Sequence, residues 1–463
     1  MAQQTYVPDD NFEQELITLG YDNILDDSVL TSNINSITTL YVNSLNISDL
    51  TGIEDFTALT VLWCNNNNLT SLDVSQNTAL FHLLCKTNLL TNLNVTQNTA
   101  LVNLYCYDNL LTNLDVSQNT ALIDLYCTDN FLTSLDVTQN IALTDLYCND
   151  NMLTNLDISQ NTALIEFWCN NNNLTTLDVT QNTALVQLWL RNNAISILDV
   201  SQNPLLTALD CGYNTISSLN LTQNTVLVNF SCYNNLLTSL DVSQNIALSN
   251  LYCDNNFLTT LDVSQNTNLS NLDCGDNSLI SLDVSQNITL DELWCHNNFL
   301  TTLNVSQNSQ LSIFKGQNNN LTSLDLRNGN NINMSISWPF NFNITNNPDL
   351  FCIDVDDSTW SANNWIVGPH IDLHHFFDTI CNPSWDCLNN ACIDSGFGTG
   401  LYTTLSDCQM VCGVNTIEES LNNFNKKLIK ITNVLGRETP YSKNTPLFYI
   451  YDDGTVEKRI IIE

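Results

Sequence analysis

A unit of 21 residues repeats without insertion or deletion from Leu59 to Asn331, which makes thirteen copies. Each copy has two halves, and the first copy shows both patterns: Leu59-x-x-Leu62-x-Cys64-x-x-Asn67-x-Leu69, then Leu72-x-Val74-x-x-Asn77-x-x-Leu80. Periods of roughly 20–50 residues are typical of solenoids, in which each coil buries its apolar face against its neighbours. The period therefore predicts that most of the chain forms one elongated body.

In each half, apolar residues alternate with other residues, and an Asn follows three residues later. Alternation over a few residues is typical of a strand with one buried face. The Asn falls where the chain must turn, and its side-chain amide can bond the open backbone of that turn in every coil. The sequence predicts a repeat solenoid, mainly β, with two short strands and two turns per coil.

The pattern resembles the leucine-rich repeat, in particular its 21-residue irreko-type variant, in which LxxLxCxxNxL is followed by LxxLDLxxN. The preceding coil, 37–58, has 22 residues and is similar to the longer internalin-type repeat. Leu45 stands where later coils have Asn, so we expect the ladder of Asn amides to begin one coil later. The resemblance implies a right-handed solenoid, and coils stacked at roughly 4.8 Å would span roughly 65–70 Å.

Changes in the pattern divide the chain into five regions: an N-terminal cap (1–36), the solenoid (37–331), a C-terminal cap (332–381), a small Cys-rich module (382–412) and a C-terminal domain (413–463). Asp9 and Asp10 precede the apolar positions Phe12 and Leu16, and Gly20 follows. This order is typical of a helix start, an apolar face and a stop. We expect this helix to cover the open first coil, because the ends of a solenoid need caps.

The C-terminal domain contains alternating segments around 427–437 and 446–463, the last two strands being joined at Asp453-Gly454. It resembles the C-terminal sorting domain of the type IX secretion pathway. The resemblance implies a small β-sandwich that engages the secretion machinery and routes the chain across an outer membrane.

The seventeen cysteines fall into two groups. Eleven form an inward column in the solenoid, where parallel strands place the residues about 4.8 Å apart, too far for disulfides. We therefore expect buried free thiols at Cys64, Cys85, Cys106, Cys127, Cys148, Cys169, Cys211, Cys232, Cys253, Cys274 and Cys295. The other six lie close together and suggest disulfides, with Cys352 and Cys381 tying the cap: Cys352, Cys381, Cys387, Cys392, Cys408 and Cys412.

Disulfides imply an oxidising compartment, so we expect a secreted protein or one on the outer surface of a bacterium. The first residues carry no apolar export segment, and we expect the mature chain to begin near Ala2. The net charge of −37 makes nucleic acid and anionic membranes poor partners. No stretch approaches 18 consecutive apolar residues, so no membrane span is predicted.

The residues that point outward from the first strand vary from coil to coil, and we place the candidate site on that concave face. Its aromatic residues and flanking acids suit a protein or glycan ligand, although the rings could instead form a stabilising ladder. The predicted ligand-binding residues are Trp63, Tyr105, Tyr126, Tyr147, Trp168, Trp189, Asp124, Asp145, Glu166 and Arg191. We predict no catalytic residues, because the stacked acids have no third group to divide their roles.

Other patterns have alternative interpretations. The repeated Asp73-type column could bind Ca²⁺ or meet a flat surface such as ice, or each Asp could accept amides of its own turn. His370 and His374 could hold a metal if their segment were helical, but few acids lie near and we assign no metal ligands or cofactor. The solenoid could also serve only as a structural or adhesive spacer without a discrete ligand.

Overall fold

A computed structural model describes residues 3–334, 342–365, 368, 370–381, 385–388, 391–394, 428–432, 437, 447–451 and 456–459. The chain divides into two units, 1–379 and 380–463, and each is described by itself. The first unit contains the solenoid and the segments that flank it.

One parallel sheet of fifteen short strands runs through the solenoid, with one strand in each coil. The strands pair in register, so that Asp124 lies opposite Asp145 and Tyr126 opposite Tyr147. This arrangement confirms the predicted repeat solenoid. The strands are Thr39–Tyr41, Val61–Trp63, His82–Leu84, Asn103–Tyr105, Asp124–Tyr126, Asp145–Tyr147, Glu166–Trp168, Gln187–Trp189, Ala208–Asp210, Asn229–Ser231, Asn250–Tyr252, Asn271–Asp273, Glu292–Trp294, Ile313–Lys315 and Phe342–Asn343.

The second strand predicted for every coil forms only in part. Strands appear at Thr302–Asn304 and Ser323–Asp325, and Asp73, Asn94 and Asp115 make isolated parallel bridges. Oδ1 of Asp73 accepts a hydrogen bond from the Ser75 N–H at 2.9 Å, and Oδ1 of Asp325 accepts the corresponding bond from the Arg327 N–H at 3.0 Å. This turn therefore occurs in coils with and without a second strand, and the other coils carry one strand each.

The interior is a dry column of Leu, Val and Cys side chains, as the alternation predicts. Leu62, Cys64 and Val74 have no exposed surface. All eleven solenoid cysteines are buried and free, which confirms the prediction for this group. Burial raises the pKa of the Cys64 thiol to about 12, because a thiolate would lose its hydration there.

Two ladders of Asn amides tie successive coils together. The side-chain nitrogen of Asn88 donates to the carbonyl oxygens of Cys64 and Cys85, both at 3.0 Å, and its oxygen accepts from the Leu69 N–H. The nitrogen of Asn98, in the second ladder, donates to the carbonyl oxygens of Val74 and Asn77 at 2.9 Å. Each amide therefore pairs backbone groups of two coils that a turn would otherwise leave open.

The first ladder begins at Asn67, one coil after Leu45, as expected. Its amide nitrogen reaches back to the carbonyl oxygen of Val42 at 2.6 Å, and its oxygen accepts from the backbone N–H groups of Leu45 and Ile47 at 3.0 Å. Asn88 makes the same bonds to the Cys64 oxygen and the Leu69 N–H of the coil before it, so the bond from the Leu45 N–H is an addition at the start of the ladder.

The N-terminal region places a helix, Asp10–Thr18, at the predicted position. Asp9 caps it by accepting from the Asn11 and Phe12 N–H groups at 3.0 Å, and Phe12 is fully buried with its ring 6.3 Å from that of Phe56. The helix therefore packs onto the first coil. The other elements here are the strands Gln4–Tyr6 and Ser28–Leu30, the helix Thr31–Ile34 and the 3₁₀ helix Ile53–Asp55.

The segment after the repeats continues the stack. The strands Cys352–Asp354 and Phe376–Asp378 extend the sheet begun by the two second-half strands, and the helix Ser358–Asn364 and the 3₁₀ helix Asn331–Asn333 accompany them. Trp365 is buried and stacks on Phe342 with centroids 4.1 Å apart. Cys352 and Cys381 are both disulfide-bonded, as predicted for these two residues.

In the second unit, the strands Trp385–Leu388 and Ala391–Asp394 form an antiparallel pair. Leu428–Thr432, Leu447–Tyr451 and Val456–Arg459 form a separate antiparallel sheet. The three strands of this sheet lie within the segments predicted to be β, whereas the pair at 385–394 was not predicted. Asp453-Gly454, Cys408, Cys412 and most of the predicted Cys-rich module lie outside the described residues. The assignment to the type IX sorting family and the domain boundaries stay predictions.

Candidate ligand-binding face

The outward side of the main sheet carries the predicted site. In each three-residue strand the central Leu or Phe is buried, so the first and third residues point outward. Because the strands are parallel and in register, the first residues form one row and the third residues another. We call this surface the sheet face. Trp63, Tyr105, Tyr126, Tyr147, Trp168 and Trp189 lie in its third-residue row.

Five of these rings form a continuous stack, which we call the aromatic track: Tyr105, Tyr126, Tyr147, Trp168 and Trp189. Tyr105, Tyr126 and Tyr147 stack with centroids 4.4 and 4.2 Å apart and planes within 5° of parallel. Trp168 continues the stack at 4.4 Å from Tyr147, and Trp189 follows at 5.4 Å with a tilt of 34°. The rings cover one another's faces, so solvent meets mainly their edges.

Trp63 does not belong to the track. Leu84 stands between it and Tyr105 in the row, and Trp63 packs on Tyr41 instead, with centroids 4.7 Å apart and planes tilted by 52°. Trp63 is 39% exposed and Tyr41 50%. This pair therefore presents more free aromatic surface than the stacked rings do.

The three predicted acids lie side by side in the first-residue row and bond to neighbours on the sheet face. The Tyr105 hydroxyl donates to Asp124 at 3.2 Å, and the Asn103 amide also donates to it. Thr144 donates to Asp145 at 2.6 Å. Glu166 accepts from the Tyr147 hydroxyl and, at 3.0 Å, from the Gln187 amide.

Burial and crowding of negative charge shift the titration of this network. Burial, followed by the adjacent Asp145 charge, raises the pKa of Asp124. Burial also raises the pKa of the Tyr126 and Tyr147 hydroxyls well above the usual phenol value. The phenols therefore stay protonated near neutral pH, and Tyr147 acts as a donor to Glu166. The acids and rings form one polar and aromatic surface.

Arg191 lies apart from the acid row. Its exposed guanidinium donates to the Tyr233 hydroxyl at 3.4 Å, two coils further along. That contact is the largest cause of a raised Arg191 pKa. Arg191 is thus directed to the next part of the sheet face, where Asp210 lies, and it does not join Asp124, Asp145 and Glu166.

A second acidic region, around Asp273, was missed by the sequence prediction. Asp273 is only 8% exposed, and its Oδ1 accepts from the Gly275 N–H at 3.0 Å. Burial and the neighbouring Asp254 raise its pKa to about 7. Tyr252, Asn271, Asp273, Glu292 and Trp294 line a pocket of about 190 Å³ here.

The sequence does contain a signal for this region. The tripeptide Asp-Cys-Gly occurs at 210–212 and again at 273–275, where other coils carry larger residues after the Cys. A ring of the following coil lies over each glycine: Tyr233 over Gly212 and His296 over Gly275, in the space a Cβ would need. His296 also pairs with Asp276 at 3.1 Å.

The second half of each coil is uniform in contrast. Oδ1 of Asp73 accepts from the N–H two residues later, and the same bond recurs, for example, at Asp115, Asp136 and Asp157 at 2.9–3.0 Å. These bonds lower the pKa of Asp73. The geometry supports the turn-forming interpretation of this column, while Ca²⁺ binding there stays a prediction.

Similar proteins place this architecture in a family. No known family model matches the sequence. The functional domain of InlJ from Listeria monocytogenes, which includes a cysteine ladder, matches with a TM-score of 0.63 and 39% identity, over 69% of this chain and 77% of that domain. This chain is an internalin-like leucine-rich-repeat protein. Its eleven stacked thiols correspond to the cysteine ladder of the Listeria domain.

Two further matches define how far the likeness extends. Over 73 residues the internalin-like chain is 40% identical to Internalin J of the same bacterium, and this stretch is 16% of this chain and 8% of Internalin J. A leucine-rich-repeat protein of Leptospira interrogans matches with a TM-score of 0.56 and 27% identity, over 64% of this chain and 80% of that one. In the described parts of the internalin-like chain, every helix is too short or too polar to cross a membrane.

Proposed function

We propose that this internalin-like protein is a non-catalytic recognition protein that binds a protein ligand across the sheet face, between Tyr105 and Arg191. The observation that carries the proposal is the contrast between the two halves of the coil. The sheet face changes its outward residues from coil to coil, whereas the Asp turns of the second half repeat almost unchanged. A specific binding surface needs such variety.

The orientation of the rings favours a protein over a glycan. Sugar rings stack on free aromatic faces, but in the aromatic track each inner face is covered by the next ring. The track offers a ligand the edges of its rings, protonated hydroxyl groups and the acids beside them. Aromatic residues flanked by polar groups are typical of protein interfaces. Trp63 and Tyr41 retain more exposed ring surface and are the best place for a glycan if one binds.

Charge indicates the kind of protein partner. The net charge is −37, and Asp124, Asp145 and Glu166 lie in one row beside the track. A basic surface on the ligand would be attracted and oriented by this row, mainly through the association rate. We therefore propose a partner with exposed Lys or Arg.

The test begins with the ligand. Arrays of surface proteins and glycans are screened with the full chain, and the binder is measured against a triple substitution of Tyr126, Tyr147 and Trp168 by Ala. The matched control replaces Phe131, Phe257 and Phe299 by Ala, since these rings are exposed but lie off the sheet face. We expect at least a 100-fold loss of affinity for the first variant, as for hot-spot residues, and little change for the control.

The structural alternative has its own support. Stacked rings stabilise neighbouring coils, and a solenoid serves well as a spacer. If both triple variants bind equally well, or no saturable ligand is found, the spacer function is favoured. Turnover of any substrate that is lost on replacing Asp145 or Glu166 would instead indicate an enzyme.

We also propose that the protein acts outside the cell and is exported through the type IX machinery. The disulfide-bonded Cys352 and Cys381 support an oxidising compartment. The antiparallel strands between Leu428 and Arg459 are compatible with the resemblance to a sorting domain. Fusion of residues 413–463 to a periplasmic reporter should release the reporter from a bacterium that has this pathway, and retention in the periplasm would oppose the proposal.

A further inference from the structure

We propose a zinc site beyond the end of the repeats, formed by the side chains of Asp372, His374 and His375 and the backbone carbonyl of Asn347. The carboxylate oxygen and the two imidazole nitrogens lie within 4.8 Å of one another. Oxygen and imidazole nitrogen are ligands that Zn²⁺ accepts. All four residues belong to the first unit.

Three separations among these four atoms fit a tetrahedral ion. Nε2 of His374 lies 3.3 Å from the Asn347 oxygen, and Nε2 of His375 lies 3.4 Å from the same oxygen and 3.5 Å from Oδ2 of Asp372. Zinc bonds of about 2.0–2.2 Å at tetrahedral angles place ligand atoms about 3.3–3.6 Å apart. These three separations therefore match a tetrahedral ion, and the other side-chain pairs, which lie within 4.8 Å, would close around it.

The local backbone explains why these residues converge. Asn347 is the last member of the first Asn ladder, and its amide donates to the carbonyl oxygens of Gly316 and Ile344. No further repeat follows to accept the N–H of Asn347, while its carbonyl oxygen accepts the Leu350 N–H at 3.0 Å. Oδ2 of Asp372 accepts the Asn347 N–H at 3.1 Å, and the two imidazoles approach its carbonyl. The turn at 372–375 thus stands in for the missing coil.

The segment is not the helix on which the sequence-based metal alternative depended. His375 N–H bonds back to the Asp372 oxygen at 3.2 Å, which closes a turn, and His370 lies against the Phe342 oxygen at 3.1 Å. His370 and His374 therefore do not form a pair on a helix. The turn brings His374 and His375 together instead, with ring centroids 4.6 Å apart.

The contacts that the ion would replace are weak. The imidazole contacts to the Asn347 oxygen and the Asp372 N–H contact to Nδ1 of His375 are all 3.3–3.4 Å long, at the outer limit of hydrogen bonding. Zinc on Nε2 would place the ring proton of His375 on Nδ1 and end that last contact. Four metal bonds would replace these contacts and fasten the cap to the final coil.

The test uses the full chain without a polyhistidine tag, and ZnSO₄ as the probe. Calorimetry should show one Zn²⁺ per chain, and Co²⁺ should give the intense visible absorption of a tetrahedral site. Zinc should also raise the thermal midpoint of the first unit. We expect His374→Ala and Asp372→Asn to weaken zinc binding at least tenfold and to abolish the cobalt spectrum. His374 is exposed, so its replacement should leave the fold unchanged.

His296→Ala is the matched control, because His296 and Asp276 form a His–carboxylate pair that is not part of a three-ligand cluster among the described residues. This variant should bind zinc like the parent chain. The proposal is overturned if the parent chain binds no zinc, if cobalt gives only an octahedral spectrum, or if His374→Ala and His296→Ala lower the affinity equally. Circular dichroism of each variant separates loss of the site from loss of the fold.

Discussion

Tyr126 and Tyr147 lie face to face on adjacent strands, with ring centroids 4.2 Å apart and planes 5° from parallel. The spacing follows from the parallel register, which places residues 21 positions apart side by side. The same contact that stabilises the coils also covers the ring faces. The sheet face therefore presents hydroxyls, ring edges and carboxylates to a ligand.

Substitutions of Tyr147 should separate the stack from the hydrogen bond. Tyr147→Phe keeps both stacking contacts and loses only the hydrogen bonds of the hydroxyl, to Glu166 and to Tyr126, so we expect a loss of about 0.5–1.5 kcal/mol in the free energy of unfolding. Tyr147→Ala also loses two ring pairs, worth about 0.5–1.5 kcal/mol each. Urea unfolding of the two variants measures the difference, and equal losses would contradict a stabilising stack.

The Asn ladder should be costly to interrupt. In Asn172→Ala, the N–H of Leu153 loses its buried partner. The carbonyl oxygens of Cys148 and Cys169 each lose one of two amide donors and keep the amides of Asn151 and Asn193. An unpaired buried group costs about 1–3 kcal/mol, so we expect a loss of about 1–3 kcal/mol in urea unfolding. The control is Asn173→Ala at the exposed neighbour, which should cost little. Similar losses in both variants would refute the role of the ladder.

The solenoid thiols should be inert in the folded protein. Burial raises the pKa of Cys64 to about 12 and that of Cys148 well above the usual value, which suppresses the reactive thiolate. Iodoacetamide at pH 8 should leave all eleven unlabelled in the native state and label them all after unfolding in guanidinium. Peptide mapping by mass spectrometry gives the result, and native labelling of Cys148 would show that the interior admits solvent.

Asp273 should make stability depend on pH. Its pKa is about 7 in the folded chain, above the ordinary value of 3.8, so the native state holds the proton more tightly than the unfolded state. The contribution of Asp273 to the free energy of unfolding is therefore most favourable below about pH 4, and it falls as the pH rises from about 4 to 7. Asp273→Asn should therefore stabilise the protein by about 1–3 kcal/mol at pH 8 and much less at pH 4, as measured by urea unfolding.

Asp262→Asn provides the control in the preceding coil. Asp262 is exposed, and hydrogen bonds from Ser264 lower its pKa. Its stabilising effect on the folded state is therefore present at neutral pH and is lost on acidification. Its replacement should not raise stability at pH 8. An equal gain in the two variants would indicate a general effect of removing negative charge, not the burial of Asp273.

The repeat made the interior predictable, but not the contacts of the outer face. Alternation places Leu62 and Cys64 inward, and the position of Asn67 after them indicates a turn, so burial and ladder follow from spacing. The directions of long side chains do not, which is why the bond from Arg191 to Tyr233, 42 residues away, was not anticipated. The turn at Asp372–His375 likewise depends on the preceding coil, which no longer follows the repeat.

The central claim is that the sheet face holds the ligand, and oxidative footprinting of the complex tests it most directly. The captured protein ligand is added to the full chain, and hydroxyl-radical modification of each aromatic residue is measured by mass spectrometry. We predict protection of Trp168, Trp189 and the tyrosines of the aromatic track, with Phe257 and Phe299 modified as in the free chain. Protection at those two phenylalanines with an unprotected track would contradict the account.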